Sequence, residues 1–223
     1  MKKLIICLAT LYSQVILAAN SKTILYLGDS HSDGRFGATI DKNLSSVSDH
    51  VIMEASCGST PLTWLGNNKF EKTICGFWKK DGDNETRTKE HLVPRLSDEL
   101  AIYHPEITII QLGTNIAAGE KPKNYSSSIV TMMKMIKEND SRCIWLGPPD
   151  ALSKIVTKAK LQETNELLTN LASQNNCYYI DNLKLTKFPV ESKEGIHYPP
   201  NLAAQWGELA AKEILKIISS IAE

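Results

Sequence analysis

The stretch Thr23-Ile24-Leu25-Tyr26-Leu27-Gly28-Asp29-Ser30-His31 decides how this chain is read. Five residues of apolar, β-favouring character run into Gly-Asp-Ser-His, where the backbone must turn. A short apolar run closed by such a turn reads as a buried strand. A serine just past its carboxyl end stands where a nucleophile can sit. A serine hydroxyl is weak by itself, so the reading requires a base and oxyanion donors elsewhere.

Working outward, four more β-type runs occur at residues 50–55, 107–112, 143–146 and 177–180. They alternate with segments of helical period at 35–44, 90–103, 125–138, 157–174 and 202–221. This alternation predicts an α/β architecture, a five-stranded parallel sheet covered by helices. Leu161, Leu167, Leu168 and Leu171 form one apolar stripe, and Leu202, Trp206, Leu209, Ala210, Ile214 and Ile217 another. Both are read as core faces. The connection from Cys57 to Glu90 is the irregular part, rich in Gly, Asn and Asp, and a loop that long is functional or tied down.

At 223 residues and 42% hydrophobic, the chain suits one domain with a sizeable core. Residues 1–19 carry Lys2 and Lys3, a mostly apolar stretch and then Ala18-Ala19, the layout of a secretory signal peptide. Cys7 lacks the small residues that precede a lipidated cysteine, so the expected product is exported, periplasmic or secreted, with no stable membrane anchor. Leader removal leaves 23 basic against 25 acidic residues, a balance with no electrostatic footprint for nucleic acid.

Four cysteines remain, and an oxidising compartment favours two disulfides. Cys57 and Cys75 bracket the first half of the irregular connection. Cys143 and Cys177 begin strands expected to be neighbours. The expected pairing is therefore Cys57 with Cys75 and Cys143 with Cys177. No Cys-x-x-Cys pair suggests a zinc site.

In an open parallel sheet the binding crevice lies beyond the carboxyl ends of the strands. Ser30 follows the first strand, Gly58 the second and Asn115 the third, while His197 lies between the last strand and the final helix. Any one of these has a bland reading as helix cap, turn residue or loop histidine. Together they supply a nucleophile, a base and oxyanion donors at one sheet edge.

In order and spacing, Gly28-Asp29-Ser30, the lone Gly58, Gly113-Thr114-Asn115 and Glu194-Gly195-Ile196-His197 resemble the motif blocks of the SGNH (GDSL-type) hydrolases. The resemblance spans nearly the whole chain after the leader. It implies a flavodoxin-like three-layer α/β/α sandwich and a serine esterase or acyl-transfer activity without metal or other cofactor. Ser30 would attack, His197 would be the base, and the Ser30 and Gly58 N–H groups with the Asn115 amide would hold the oxyanion. The family usually has Asp three residues before the histidine, where this chain has Glu194. Glu194 is the expected third catalytic residue, its carboxylate orienting the imidazole through Nδ1–H, with a backbone carbonyl or Asp181 as the alternatives. His31, beside the nucleophile on a tight turn, is not expected to reach its neighbour's hydroxyl.

Substrate-binding candidates are Trp64, Phe70, Phe77, Trp78 and Tyr198, as faces for a sugar ring or an acyl pocket, with a small loop core as the competing reading. Gly-Asp-Ser-His and the following Gly58-Ser59-Thr60-Pro61 are more similar to carbohydrate and peptidoglycan O-acetylesterases than to the lipases. The leading expectation is an exported O-acyl, chiefly O-acetyl, esterase acting on a small ester or an acetylated glycan. Alternatives are an acyltransferase, a lysophospholipase or thioesterase of the same fold, and a non-catalytic glycan-binding module.

Overall fold

The computed structural model describes residues 22–66, 71–189 and 194–221. The expected leader and Phe70 lie outside them. Five parallel strands form the centre: β1 (Thr23–Gly28), β2 (His50–Ser56), β7 (Ile107–Gln111), β8 (Arg142–Leu146) and β9 (Tyr178–Ile180). Their spatial order is β2-β1-β7-β8-β9, the flavodoxin-like order. Gly28 is in register with Ala55 and Gln111, Gln111 with Leu146, and Leu146 with Ile180. The strands thus end in one row, and the loops that follow share an edge.

Alternation along β1 builds two cores, because successive side chains point to opposite faces. Ile24 and Tyr26 join Met53, Ile109 and Ile144 under α1 (Arg35–Leu44) and α8 (Pro200–Ile221). Leu25 and Leu27 join Ile52, Ile110 and Trp145 under α3 (Leu96–Tyr103), α5 (Ser126–Glu138) and α6 (Lys158–Gln174). A fully buried Leu or Ile contributes about 1.5–3 kcal/mol, so each face stabilises the sandwich independently.

Two expectations are corrected. The sheet has seven strands, not five, because β4 (Phe77–Asp81) and β5 (Asn84–Thr88) form a hairpin that pairs antiparallel with β2. Gly82, at φ +57°, supplies the left-handed residue its two-residue turn needs. Lys79 of β4 reaches Glu54 Oε1 at 2.5 Å and Glu99 Oε2 at 2.9 Å, tying the hairpin to β2 and α3. Burial, then the neighbouring Glu99, raises the Glu54 carboxyl well above the usual range. The second correction concerns the segment 90–103, whose helix begins at Leu96. His91–Leu92 (β6) instead pair with Lys72–Thr73 (β3), and Pro94 keeps the residue before it extended.

Both expected disulfides are present, Cys57–Cys75 with Cα atoms 5.6 Å apart and Cys143–Cys177 at 4.7 Å. Closing loops of 18 and 34 residues stabilises by about 3 and about 4 kcal/mol in the chain-entropy account. Among the described residues no helix is long and apolar enough to cross a membrane.

Candidate active site

Ser30 lies in the turn after β1, whose geometry is set by buried polar groups. Asp29 is fully buried and its Oδ1 accepts the His31 N–H at 3.0 Å. The Ser32 N–H donates to the Asp29 carbonyl at 3.0 Å. Ser32 Oγ donates to Gln111 Oε1 at 2.7 Å and lies 2.8 Å from the Tyr26 hydroxyl. Burial pushes the Asp29 carboxyl up to about 7 against the lowering effect of the His31 N–H and Gln111. Gly28 has no room for a side chain, since a Cβ there would meet Ser32 Oγ at 2.2 Å.

The turn after β2 is packed against this one. Ser59 Oγ donates to the Gly28 carbonyl at 3.3 Å, and Asn115 Nδ2, from the short helix α4 (Thr114–Ala118), donates to the Ser59 carbonyl at 3.0 Å. Gly58 has φ +76°, the left-handed region that glycine enters without strain. Cys57 anchors the turn from the other side through its disulfide and its N–H to the Gly76 carbonyl at 2.9 Å. Among the described residues the Ser30 and Gly58 N–H groups have no protein acceptor. Two backbone donors and a carboxamide are thus gathered along one edge.

His197 completes the group, with its Nε2 2.8 Å from Ser30 Oγ and its Nδ1 hydrogen-bonded to Glu194 Oε1. The same Oε1 accepts the His197 backbone N–H at 3.1 Å. A carboxylate only accepts, so Nδ1 carries the ring proton and Nε2 presents its lone pair to Ser30. Glu194, and not Asp181, meets the imidazole. Asp181 instead caps the short helix α7 (Asn182–Leu185), accepting from the Leu183 N–H at 3.1 Å.

The histidine loop is held by the segment after β8. Gly195, at φ +76°, packs so closely there that a Cβ would stand 2.0 Å from the Leu152 carbonyl oxygen. The Leu152 N–H donates to the Gly195 carbonyl at 2.8 Å, and the Tyr198 hydroxyl to the Asp150 carbonyl at 2.7 Å. Asp150 itself binds the Phe188 N–H at 2.9 Å and the Lys158 ammonium. Sequence reading passed over Asp150, whose only signal is its place three residues after the Gly147 strand exit. His31 is buried, its ring centroid 5.1 Å from that of His197. Burial, then the neighbouring His197, lowers it to about 3, which keeps it neutral.

Three of the expected substrate faces are core residues. Trp64, which ends the short helix α2 (Pro61–Trp64), is fully buried with Leu112 and Met133, Trp78 of β4 joins the core on the α1 and α8 face, and Phe77 stacks on His91 at 4.1 Å. The irregular segment needed a core of its own, and these aromatics supply it. Tyr198 is half-buried and lines a cavity beside Ser30 and His197. No cluster of three or more His, Cys, Asp or Glu side chains among the described residues is arranged to hold a metal ion.

No protein-family model and no curated protein sequence matches the chain. Solved structures do. Est24, a carbohydrate acetylesterase from Sinorhizobium meliloti, matches with a TM-score of 0.63 at 15% identity over 88% of this chain and 99% of that one. The aryl esterase of M. smegmatis gives 0.61 at 17% over 87% and 99%. A GDSL-like lipase from Bacteroides thetaiotaomicron gives 0.63 at 15% over 90% and 89%. At such identities the likeness is one of fold, and this chain has the α/β sandwich fold of the SGNH (GDSL-type) hydrolases.

Proposed function

We propose that this chain is a serine esterase that hydrolyses O-acyl, chiefly O-acetyl, esters through an acyl-enzyme, and that it acts after export on a small ester or an acetylated glycan. The observation that carries the reading is the continuous hydrogen-bonded run from Ser30 Oγ through the His197 ring to Glu194.

Ser30 Oγ attacks the ester carbonyl carbon while His197 Nε2 takes its proton, a general-base contribution of about 10²–10⁴ in rate. Glu194 holds the ring in the required tautomer and offsets the charge that forms on it. The carbonyl oxygen becomes an oxyanion facing the Ser30 and Gly58 N–H groups and the Asn115 amide, whose second N–H is not used by Ser59. The carbon–oxygen bond to the alcohol breaks as His197 returns the proton to the leaving oxygen. Water then attacks the acyl-serine by the same route, releasing the acid and restoring Ser30.

Export is supported by the two disulfides and by the composition of residues 1–19. Glycan ester chemistry is supported by the fold shared with a protein named a carbohydrate acetylesterase. The expected result is hydrolysis of an aryl acetate in preference to the octanoate, with fluorophosphonate labelling at Ser30 that Ser30→Ala abolishes. A folded wild type that is inactive and unlabelled yet binds acetylated glycan overturns the proposal in favour of a binding module.

A further inference from the structure

Beside the Ser30–His197 pair lies a cavity of about 180 Å³ walled by Phe36, Tyr198 and Trp206, with Arg35 also lining it. Its place relative to the reacting atoms is informative. Ser30 and His197 line it, whereas Gly58 and Asn115 do not. On the esterase reading above, the carbonyl oxygen goes to the Gly58 and Asn115 side, and His197 hands its proton to the leaving oxygen. The cavity therefore lies on the side that receives the alcohol portion of the ester.

The walls have their polar ends engaged elsewhere. Trp206 Nε1 donates to Asn182 Oδ1 at 3.1 Å, the Tyr198 hydroxyl is taken by Asp150, and Phe36 stacks on Trp206 at 3.7 Å. Phe36 and Trp206 are buried, so of the three walls the half-buried Tyr198 ring is the face open to a ligand. Arg35 differs from them in being exposed and, among the described residues, making no ion pair or side-chain hydrogen bond. The nearby acids are already committed. Asp33 Oδ1 binds Arg87 Nη1 at 2.8 Å, and Glu194 binds His197. The first turn of α1, which Arg35 opens, contains no acidic residue, and its Gly34 cap brings no side chain.

We propose that Arg35 is a specificity residue, selecting esters whose alcohol portion carries an anionic group, a carboxylate or a phosphate. A guanidinium suits this because its planar fork meets either group with two parallel N–H donors while keeping its charge. An acidic sugar bearing an O-acetyl group is the kind of substrate that meets both requirements, a ring for the Tyr198 face and an anion for Arg35.

The test, which rests on the esterase reading, compares 4-acetoxybenzoate with its neutral methyl ester, and adds 4-acetoxyphenyl phosphate as a second anion. Wild type, Arg35→Ala, Arg35→Lys and Arg35→Glu are assayed at low and high salt. In Arg35→Ala the kcat/KM ratio of anionic to neutral ester falls by about fivefold, the worth of a solvent-facing charge pair. The change is carried by KM, is deeper in Arg35→Glu, is partly restored in Arg35→Lys and shrinks in salt. The anion with the larger Arg35 dependence identifies the group bound. Equal effects on anionic and neutral esters, or none, overturn the assignment of Arg35 alone. Failure of folded wild type to hydrolyse any of the three esters overturns the esterase reading itself, and this assignment with it.

Discussion

His31→Leu tests whether a buried neutral histidine beside the catalytic group limits stability in acid. The imidazole is buried and lowered from 6.5 to about 3, first by burial and then by the charge of His197. A depressed folded value means that the unfolded chain binds a proton which the folded chain refuses. The associated stability is intact above about pH 6.5 and is lost as pH falls toward 3. Linkage over that interval gives a loss of about 2 kcal/mol between pH 7 and pH 5 from this residue alone. Asp29, raised to about 7, has the opposite slope, its stability present at low pH and lost as pH rises through 7. Asp29 remains in both proteins, so it cancels in a double difference. Urea unfolding of wild type and His31→Leu at pH 7 and pH 5 supplies the four free energies required. The wild type should lose about 2 kcal/mol more than the variant on acidification. Equal losses, to within about 0.5 kcal/mol, would refute the claim that His31 is held neutral by burial.

Four other outcomes follow from the geometry. Asn115→Ala removes one oxyanion donor and should lower turnover on an aryl acetate by about 10²–10³; steady-state kinetics on the folded variant check it, and a loss confined to KM would contradict the role. Glu194→Ala should cost more than about tenfold in kcat, with wild-type-like turnover removing Glu194 from the relay. Trp64→Ala opens a hole in the core and should cost about 3–5 kcal/mol in chemical denaturation while leaving KM for a short ester unchanged. Replacing Cys57 and Cys75 together by Ser should cost about 3 kcal/mol and also slow turnover, because the bridge anchors the Gly58 turn.

The five parallel strands and the helices over them were legible because each follows a periodicity that burial on a sheet or helix face imposes. The edge hairpin was not. Every residue of Asn84–Thr88 is exposed, so no apolar alternation marks it as a strand, and it exists because β4 offers backbone partners and Gly82 supplies the turn. Trp64, Phe77 and Trp78 could be assigned to a crevice or to a local core from sequence with equal reason. Only the packing of the segment between Cys57 and Glu90 against the sheet separates the two. For the site, the positions of Ser30, Gly58 and Asn115 were readable because parallel strands end in register. For the partner of His197, Glu194 was the first candidate by its place three residues before the histidine, with Asp181 left open, and what divides them is that Asp181 already caps α7.

The two halves of the site are held by different means. Ser30, Gly58 and Asn115 lie just beyond three adjacent strands, β2, β1 and β7, cross-linked through Ser59 and, behind the nucleophile, through Ser32 and Gln111. Their spacing is inherited from the sheet. His197 instead stands on a loop, which the Gly195 and Tyr198 contacts fix to the segment after β8. The proposed oxyanion donors are therefore preorganised by the core, where electrostatic stabilisation benefits most from rigidity. The proposed base, which on the esterase reading takes a proton from Ser30 and returns it to a different oxygen, sits on a loop tied to the segment after β8. Substitutions in the segment around Asp150 should then disturb proton transfer while leaving the Ser30, Gly58 and Asn115 donors in place.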